Sequence, residues 1–150
     1  MANTYTALYY HIVFSTKDRE PWLAREIRPR IWAYIGGIAR ENGMIAIEVG
    51  GIADHVHVLI SAPATKTVSD AVKQIKGASS RWLKETFPNM SAFAWQDGYG
   101  AFSEGKVNID GIRQYIRTQE EHHRTKTFAE EYRGFLERNG IEFDERYLLG

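Results

Sequence analysis

Apolar positions along this chain follow two periods, and the switches between them mark its elements. Leu8, Tyr10, Ile12 and Phe14 alternate with Tyr9, His11, Val13 and Ser15, which predicts a first strand over residues 6–16. Asp18 and Pro21 introduce a helical region, and Pro29 places the start of its regular helix close by. Ile31, Ile35, Ile38 and Ala39 supply a buried stripe, and Asn42-Gly43 ends it. A strand follows over residues 44–49, with Gly50-Gly51 read as part of a turn, and then a strand over 55–61. A second helix is predicted over 68–86, with Val68, Val72, Ile75 and Trp82 on its apolar face and Phe87-Pro88 closing it. A fourth strand falls within 93–103, a third helix over 109–122, and a last helix over 128–139, ended by Gly140.

The order is β-α-β-β-α-β followed by two helices. This predicts an α+β protein with a ferredoxin-like, split β-α-β antiparallel sheet and added C-terminal helices. A length of 150 residues fits one domain spanning 1–150, with no repeat or linker to divide it. The chain has no cysteine, which excludes disulfides, zinc-thiolate sites and thiol catalysis. Its first residues lack a basic and apolar leader, and no apolar run approaches the roughly 20 residues of a membrane span, so a cytoplasmic location is expected. A net charge of zero argues against tight non-specific capture of duplex nucleic acid and leaves room for a local basic face.

The most informative segment is Asp54-His55-Val56-His57-Val58-Leu59-Ile60-Ser61. On a strand, Val56, Val58 and Ile60 share the core face, and His55 and His57 share the other, where two imidazoles can converge on one divalent ion. Alone, His-x-His is a weak motif that also fits an ordinary strand face. In Ile112-Arg113-Gln114-Tyr115-Ile116-Arg117-Thr118-Gln119, Tyr115 and Gln119 stand four apart on one helical face. A tyrosine phenol is neutral near pH 7 and needs help to attack a phosphodiester. A divalent ion on a non-bridging oxygen supplies it. Two imidazoles and an amide oxygen suit Mg²⁺ or Mn²⁺ with open positions for phosphate and water, and ligand type alone also admits zinc.

His-hydrophobe-His followed by Tyr-x-x-x-Gln resembles the single-tyrosine HUH transposases of small bacterial insertion sequences, with the REP-associated tyrosine transposases as close relatives. Tyr10-His11-Ile12-Val13-Phe14-Ser15-Thr16-Lys17 is similar to their first strand, and Gly51-Ile52-Ala53-Asp54-His55-Val56-His57 to their metal strand. Trp95-Gln96-Asp97-Gly98-Tyr99-Gly100-Ala101-Phe102-Ser103 and Gln119-Glu120-Glu121-His122-His123 also resemble family signatures, as does the ending Gly140-Ile141-Glu142-Phe143-Asp144-Glu145-Arg146-Tyr147-Leu148. Residues 104–108 depart from the more serine- and valine-rich stretch of relatives. The resemblance implies His55, His57 and Gln119 as metal ligands and Tyr115 as the catalytic nucleophile. It implies cleavage and rejoining of single-stranded DNA beside an imperfect hairpin through a phosphotyrosine intermediate. The cofactor would be a divalent metal, Mg²⁺ or Mn²⁺, with no ATP, and the enzyme a homodimer in which the tyrosine helix can complete the partner's site.

Other residues carry weaker signals. Lys73, Lys76, Ser80 and Lys84 lie within one face of the second helix, and they read either as DNA-phosphate contacts or as a solvated face. Tyr99 between Gly98 and Gly100 reads as a DNA contact or a bulge. His11 is assigned to a polar pocket rather than the metal face, and His122 and His123 to the surface at a helix end. A non-catalytic, RNA-binding-like module is the competing reading, since a ferredoxin-like sheet with exposed aromatics also describes such domains. A domesticated relative that cuts without moving its own gene is a third.

Overall fold

A computed structural model describes residues 3–150. Four strands, β1 (Tyr9–Ser15), β2 (Ile45–Ile52), β3 (His55–Ser61) and β4 (Gly100–Glu104), form one sheet in the order β2-β3-β1-β4. All neighbouring strands are antiparallel. Helix α1 (Arg28–Glu41) connects β1 to β2, and α2 (Val68–Thr86) connects β3 to β4. The architecture is therefore the expected α+β split β-α-β arrangement. Three helices follow: α3 (Ile109–Arg117), α4 (Gln119–His122) and α5 (Phe128–Arg138). No helix among the described residues is long and apolar enough to cross a membrane.

Strand alternation gives the sheet two different faces. Ile12, Phe14, Val56, Val58 and Ile60 meet Ile31, Ile35 and Ile38 of α1 and Val72, Ile75 and Leu83 of α2 in the main core. The opposite face carries His11, Val13, His55, His57 and Leu59, and α3 and α5 cover it. Phe128, Tyr132 and Leu136 recur along α5 every four residues and pack on Val13 and Phe102. Ile109 and Ile116 of α3 pack on Leu59. Thr127 opens α5 with a reciprocal capping box to Glu130, satisfying two donors that the helix start leaves free.

Three elements differ from the sequence pattern. Gly50 and Gly51 are not a turn but strand residues opposite His57 and Val56. They are glycines because other backbone comes close: a Cβ on Gly50 would lie 2.9 Å from the Ile116 carbonyl oxygen, and one on Gly51 would lie 2.2 Å from that of His55. The fourth strand starts later than the pattern suggests, because Trp95 makes only an isolated bridge to Thr16 while its ring packs on Phe14 and Phe93. The third helix breaks at Thr118, whose hydroxyl donates back to the Gln114 carbonyl at 2.9 Å and whose backbone leaves helical geometry.

The close seat of α3 on β2 yields a stability prediction. Gly50→Val should cost about 1–3 kcal/mol, because backbone as well as side chain obstructs the new methyl groups. Gly77→Ala, on an open stretch of α2, should be neutral or stabilising by up to about 1 kcal/mol. Urea unfolding of both variants checks the contrast, and equal stability would mean that α3 does not press on Gly50.

Candidate active site

The hairpin between β2 and β3 presents both histidines. It turns at Ala53-Asp54, and alternation then sends His55 and His57 to the face away from the main core. Both rings are fully buried beneath α3, α4 and α5. His55 Nδ1 donates to Asp54 Oδ1 at 2.8 Å, a contact that fixes its tautomer and turns Nε2 inward. His57 Nδ1 lies 2.8 Å from His11 Nε2. His11 is opposite Leu59 and His57 is opposite Val13, so the two imidazoles are diagonal neighbours on adjacent strands. Burial, reinforced by His57, pushes the His11 pKa down to about 3, so it stays a neutral partner.

Helices α3 and α4 bring the remaining expected residues to the same place. Gln119 Oε1 is 2.8 Å from His55 Nε2. The break at Thr118 does not disturb the four-residue spacing, and Gln119 Nε2 remains 3.5 Å from the Tyr115 carbonyl oxygen. The Tyr115 ring sits edge-on to His57 with centroids 5.8 Å apart. His55, His57, Gln119 and Tyr115 are thus gathered within one chain.

A residue outside every motif in the sequence is central to the cluster. Glu131 of α5 is only 2% exposed. Its Oε1 is 3.0 Å from His57 Nε2 and 3.4 Å from His55 Nε2. Its Oε2 accepts hydrogen bonds from the Tyr115 hydroxyl and, at 3.1 Å, from Gln119 Nε2. A signal was present: an acidic residue three positions after Phe128 and one before Tyr132 interrupts the face by which α5 packs on the sheet.

Two assignments need correction. His11 is on the histidine face and bonded to His57, not in a separate polar pocket, because odd-numbered positions of β1 share the face of odd-numbered positions of β3. His123 is not a surface residue at a helix end. Its Nε2 lies 3.1 Å from Gln119 Oε1 and 3.3 Å from Glu131 Oε2, because α4 turns it inward. His122 stays exposed, with its ring 4.5 Å from that of Tyr115. The α2 lysines are not brought to this site, since α2 covers the other sheet face. Lys73 and Lys84 are exposed there, while Lys76 donates to the Gln96 and Gly98 carbonyls at 2.6 and 2.8 Å. Tyr99 is partly exposed just before β4.

The donor set fits a divalent cation. One ligand atom from each of His55, His57 and Glu131 falls within 4.8 Å of the others. With its Nδ1 proton on Asp54, His55 turns a lone pair toward the oxygens of Gln119 and Glu131. Acceptors facing one another in a buried space repel unless a proton or cation lies between them. Burial also pushes the His57 pKa down and favours the neutral, ligating form. Glu131 is held well below the usual carboxylate range, despite its burial, by hydrogen bonds from His123 and His57. Burial and the Glu131 charge push the Tyr115 phenol well above its ordinary value.

Known proteins resemble this chain in sequence and in fold. The family described as IS200-like transposases matches residues 4–119. The chain belongs to that family. The ISDra2 transposase TnpA of Deinococcus radiodurans is 29% identical over 117 residues, covering 75% of this chain and 84% of the relative. The IS200 transposase of Salmonella typhimurium is 30% identical over 124 residues, covering 79% and 81%. A crystal structure from D. radiodurans R1, assigned as a transposase, superposes with a TM-score of 0.66 at 27% identity, over 79% of this chain and 95% of that one. A REP-associated tyrosine transposase bound to a REP hairpin shares the fold, with a TM-score of 0.60 at 13% identity over 82% and 73% of the chains. Family membership makes this chain a transposase of the IS200 type, a class that acts on DNA. Glu131 and all of α5 lie beyond the matched segment.

The protonation states give a pH prediction. Burial holds the folded pKa values of His11 and His57 below the ordinary imidazole value of 6.5, so the unfolded chain binds more protons and stability falls as pH drops below about 6.5. His123 is raised, so its contribution is present below 6.5 and lost as pH rises through its folded pKa. Two histidines oppose one, and the metal-free protein should lose stability between pH 7 and 5.5. Removing His123 should steepen that loss. Urea midpoints at the two pH values read this, and a gain of stability on acidification would show that His11 and His57 are not held neutral.

Proposed function

We propose that this chain cuts and rejoins single-stranded DNA, with Tyr115 as the nucleophile and a divalent cation held by His55, His57, Gln119 and Glu131. The observation that carries the reading is the carboxylate of Glu131, which contacts the Tyr115 hydroxyl through one oxygen and His55 and His57 through the other. A cation there would offset the charge that raises the phenol's pKa and would stabilise charge developing on phosphate. Glu131 and Gln119 orient the nucleophile and its helix, while Asp54 and His11 hold the two imidazoles in place.

In the reaction, the phenol oxygen forms a bond to phosphorus as the bond to the leaving sugar oxygen breaks. That oxygen ends as a hydroxyl, and a DNA strand remains attached to Tyr115 as a phosphodiester. Attack by a sugar hydroxyl on this ester reverses the step, so joining needs no ATP. A hairpin-bearing strand as substrate is supported by the likeness to a REP-hairpin complex and by the transposase relatives. A homodimer remains part of the proposal, although Tyr115 here reaches the histidines of its own chain. The paired histidines, glutamine and tyrosine around one buried carboxylate favour catalysis over a non-catalytic RNA-binding-like module, which requires no such set.

Tyr115→Phe should lose the covalent adduct with single-stranded DNA from the flanks of the gene while retaining DNA binding. Denaturing gels after incubation with Mg²⁺ or Mn²⁺ read the adduct, and its persistence in the variant would exclude Tyr115. Glu131→Ala should lose Mn²⁺-dependent thermal stabilisation as well as cleavage. Unchanged stabilisation would remove Glu131 from the ligand set.

A further inference from the structure

Tyr115 also faces a space of its own. A cavity of about 450 Å³ is lined by Tyr115, His11, Glu104, Gly111, Phe135 and Arg138, among others. That volume is in the range of small-molecule sites and accommodates a nucleoside unit. Its walls come from β1, β4, α3 and α5. Phe135 forms the floor, with the Tyr115 ring edge-on at 5.9 Å and the His11 ring edge-on at 5.2 Å. The Arg138 guanidinium stands 5.0 Å above the Phe135 ring. No carboxylate pairs with Arg138 among the described residues, unlike Arg25, Arg28, Arg113, Arg117, Arg133 and Arg146.

The geometry points to this cavity as the seat of the nucleotide adjoining the scissile phosphate, with Arg138 on a phosphate oxygen and Glu104 at the base end. The assignment rests on Tyr115 as nucleophile. A phosphorus attacked by its phenol oxygen must lie next to that oxygen, so the attached nucleotide has to enter space onto which Tyr115 opens. The charges then orient it. Arg138 attracts phosphate, and the Glu104 carboxylate repels phosphate but accepts hydrogen bonds from base amino groups. Apolar Val107, Ile112 and Phe135 suit the faces of a base more than a hydrated strand. His11 links this cavity to the histidine cluster through His57.

Gly111 allows a direct test. It is exposed on α3, and a Cβ there meets nothing within 4 Å, so a large side chain at this wall position fits without displacing the fold and stands at the edge of the cavity. The probes are fluorescein-labelled single strands from both flanks of the gene, intact or with one abasic position. Gly111→Phe should raise KM for cleavage at least tenfold while retaining Mn²⁺-dependent thermal stabilisation. Gly77→Ala, on α2 across the sheet, should match the parent, and Arg138→Gln should lose about tenfold in kcat/KM. An abasic position at one nucleotide beside the cut should weaken the parent about tenfold and add nothing in Gly111→Phe. Unchanged KM and an unchanged abasic profile in Gly111→Phe would overturn the assignment. Should the parent form no adduct at Tyr115, the proposed function fails by itself. Fluorescence anisotropy then decides the cavity: weaker binding of the same strands by Gly111→Phe than by the parent and Gly77→Ala supports it, and equal binding refutes it.

Discussion

The buried carboxylate of Glu131 is the constraint around which the C-terminal half is arranged. Removing an ionised carboxylate from water costs several kcal/mol even after relaxation, so its oxygens must be satisfied from nearby. His57, His123, Gln119 and Tyr115 do this, and they come from β3, from the turn after α4, from α4 itself and from α3. Each partner fixes one element relative to α5. The apolar stripe of Phe128, Tyr132 and Leu136 presses α5 onto the sheet, and the carboxylate beside it sets where along the sheet it comes to rest. Hydrophobic burial supplies the attraction, and the polar network supplies the register.

That register joins two halves of a chemical device. The family segment ends at residue 119 and so contains the histidines, the tyrosine and the glutamine. The charge that connects them comes from a helix outside it. Without Glu131 the cluster would hold only neutral donors around His55 and His57, with a weaker hold on a divalent ion. Burial and the same carboxylate raise the Tyr115 pKa, so on the proposed function a cation held there would act on Tyr115 as well as on the substrate. Under the proposed function, one side chain would couple the metal site to the nucleophile.

The sheet and the histidine pair were legible because strand periodicity is local. Val56, Val58 and Ile60 separate from His55 and His57 by alternation alone, and the structure keeps that division. Helix spacing likewise anticipated that Tyr115 and Gln119 would share a face, even though Thr118 breaks the helix between them. Properties created by tertiary approach were not legible. Gly50-Gly51 looks like a turn in sequence, since nothing local announces that Ile116 will arrive against Gly50. His11 looked like an isolated polar residue because its partner lies 46 positions away, and His123 because its contacts with Gln119 and Glu131 depend on how the chain turns after α4. Glu131 was hidden by its neighbours: in Thr127-Phe128-Ala129-Glu130-Glu131, the capping role of Glu130 makes an acidic pair look like ordinary helix-start chemistry.

The distribution of charge bears on how a protein of zero net charge engages a polyanion. Arg25 and Arg28 are tied to Glu120, and Arg113 and Arg117 to Glu48, so much of the positive charge beside the site is already compensated. Exposed pairs of this kind are weak, and a phosphate can displace the carboxylate at small cost. Among the described residues Arg138 has no such partner, and it lines the same cavity as Tyr115. Affinity from uniform positive potential would favour any duplex and scale with the number of phosphates neutralised. Under the proposed function, a guanidinium without a carboxylate partner in the cavity that Tyr115 lines instead favours a strand that can bring one phosphate beside Tyr115. Duplex DNA resists that entry because its bases are stacked and paired, whereas an unpaired nucleotide does not carry that cost. On the proposed function, shape and local charge together would select single strands without a basic surface.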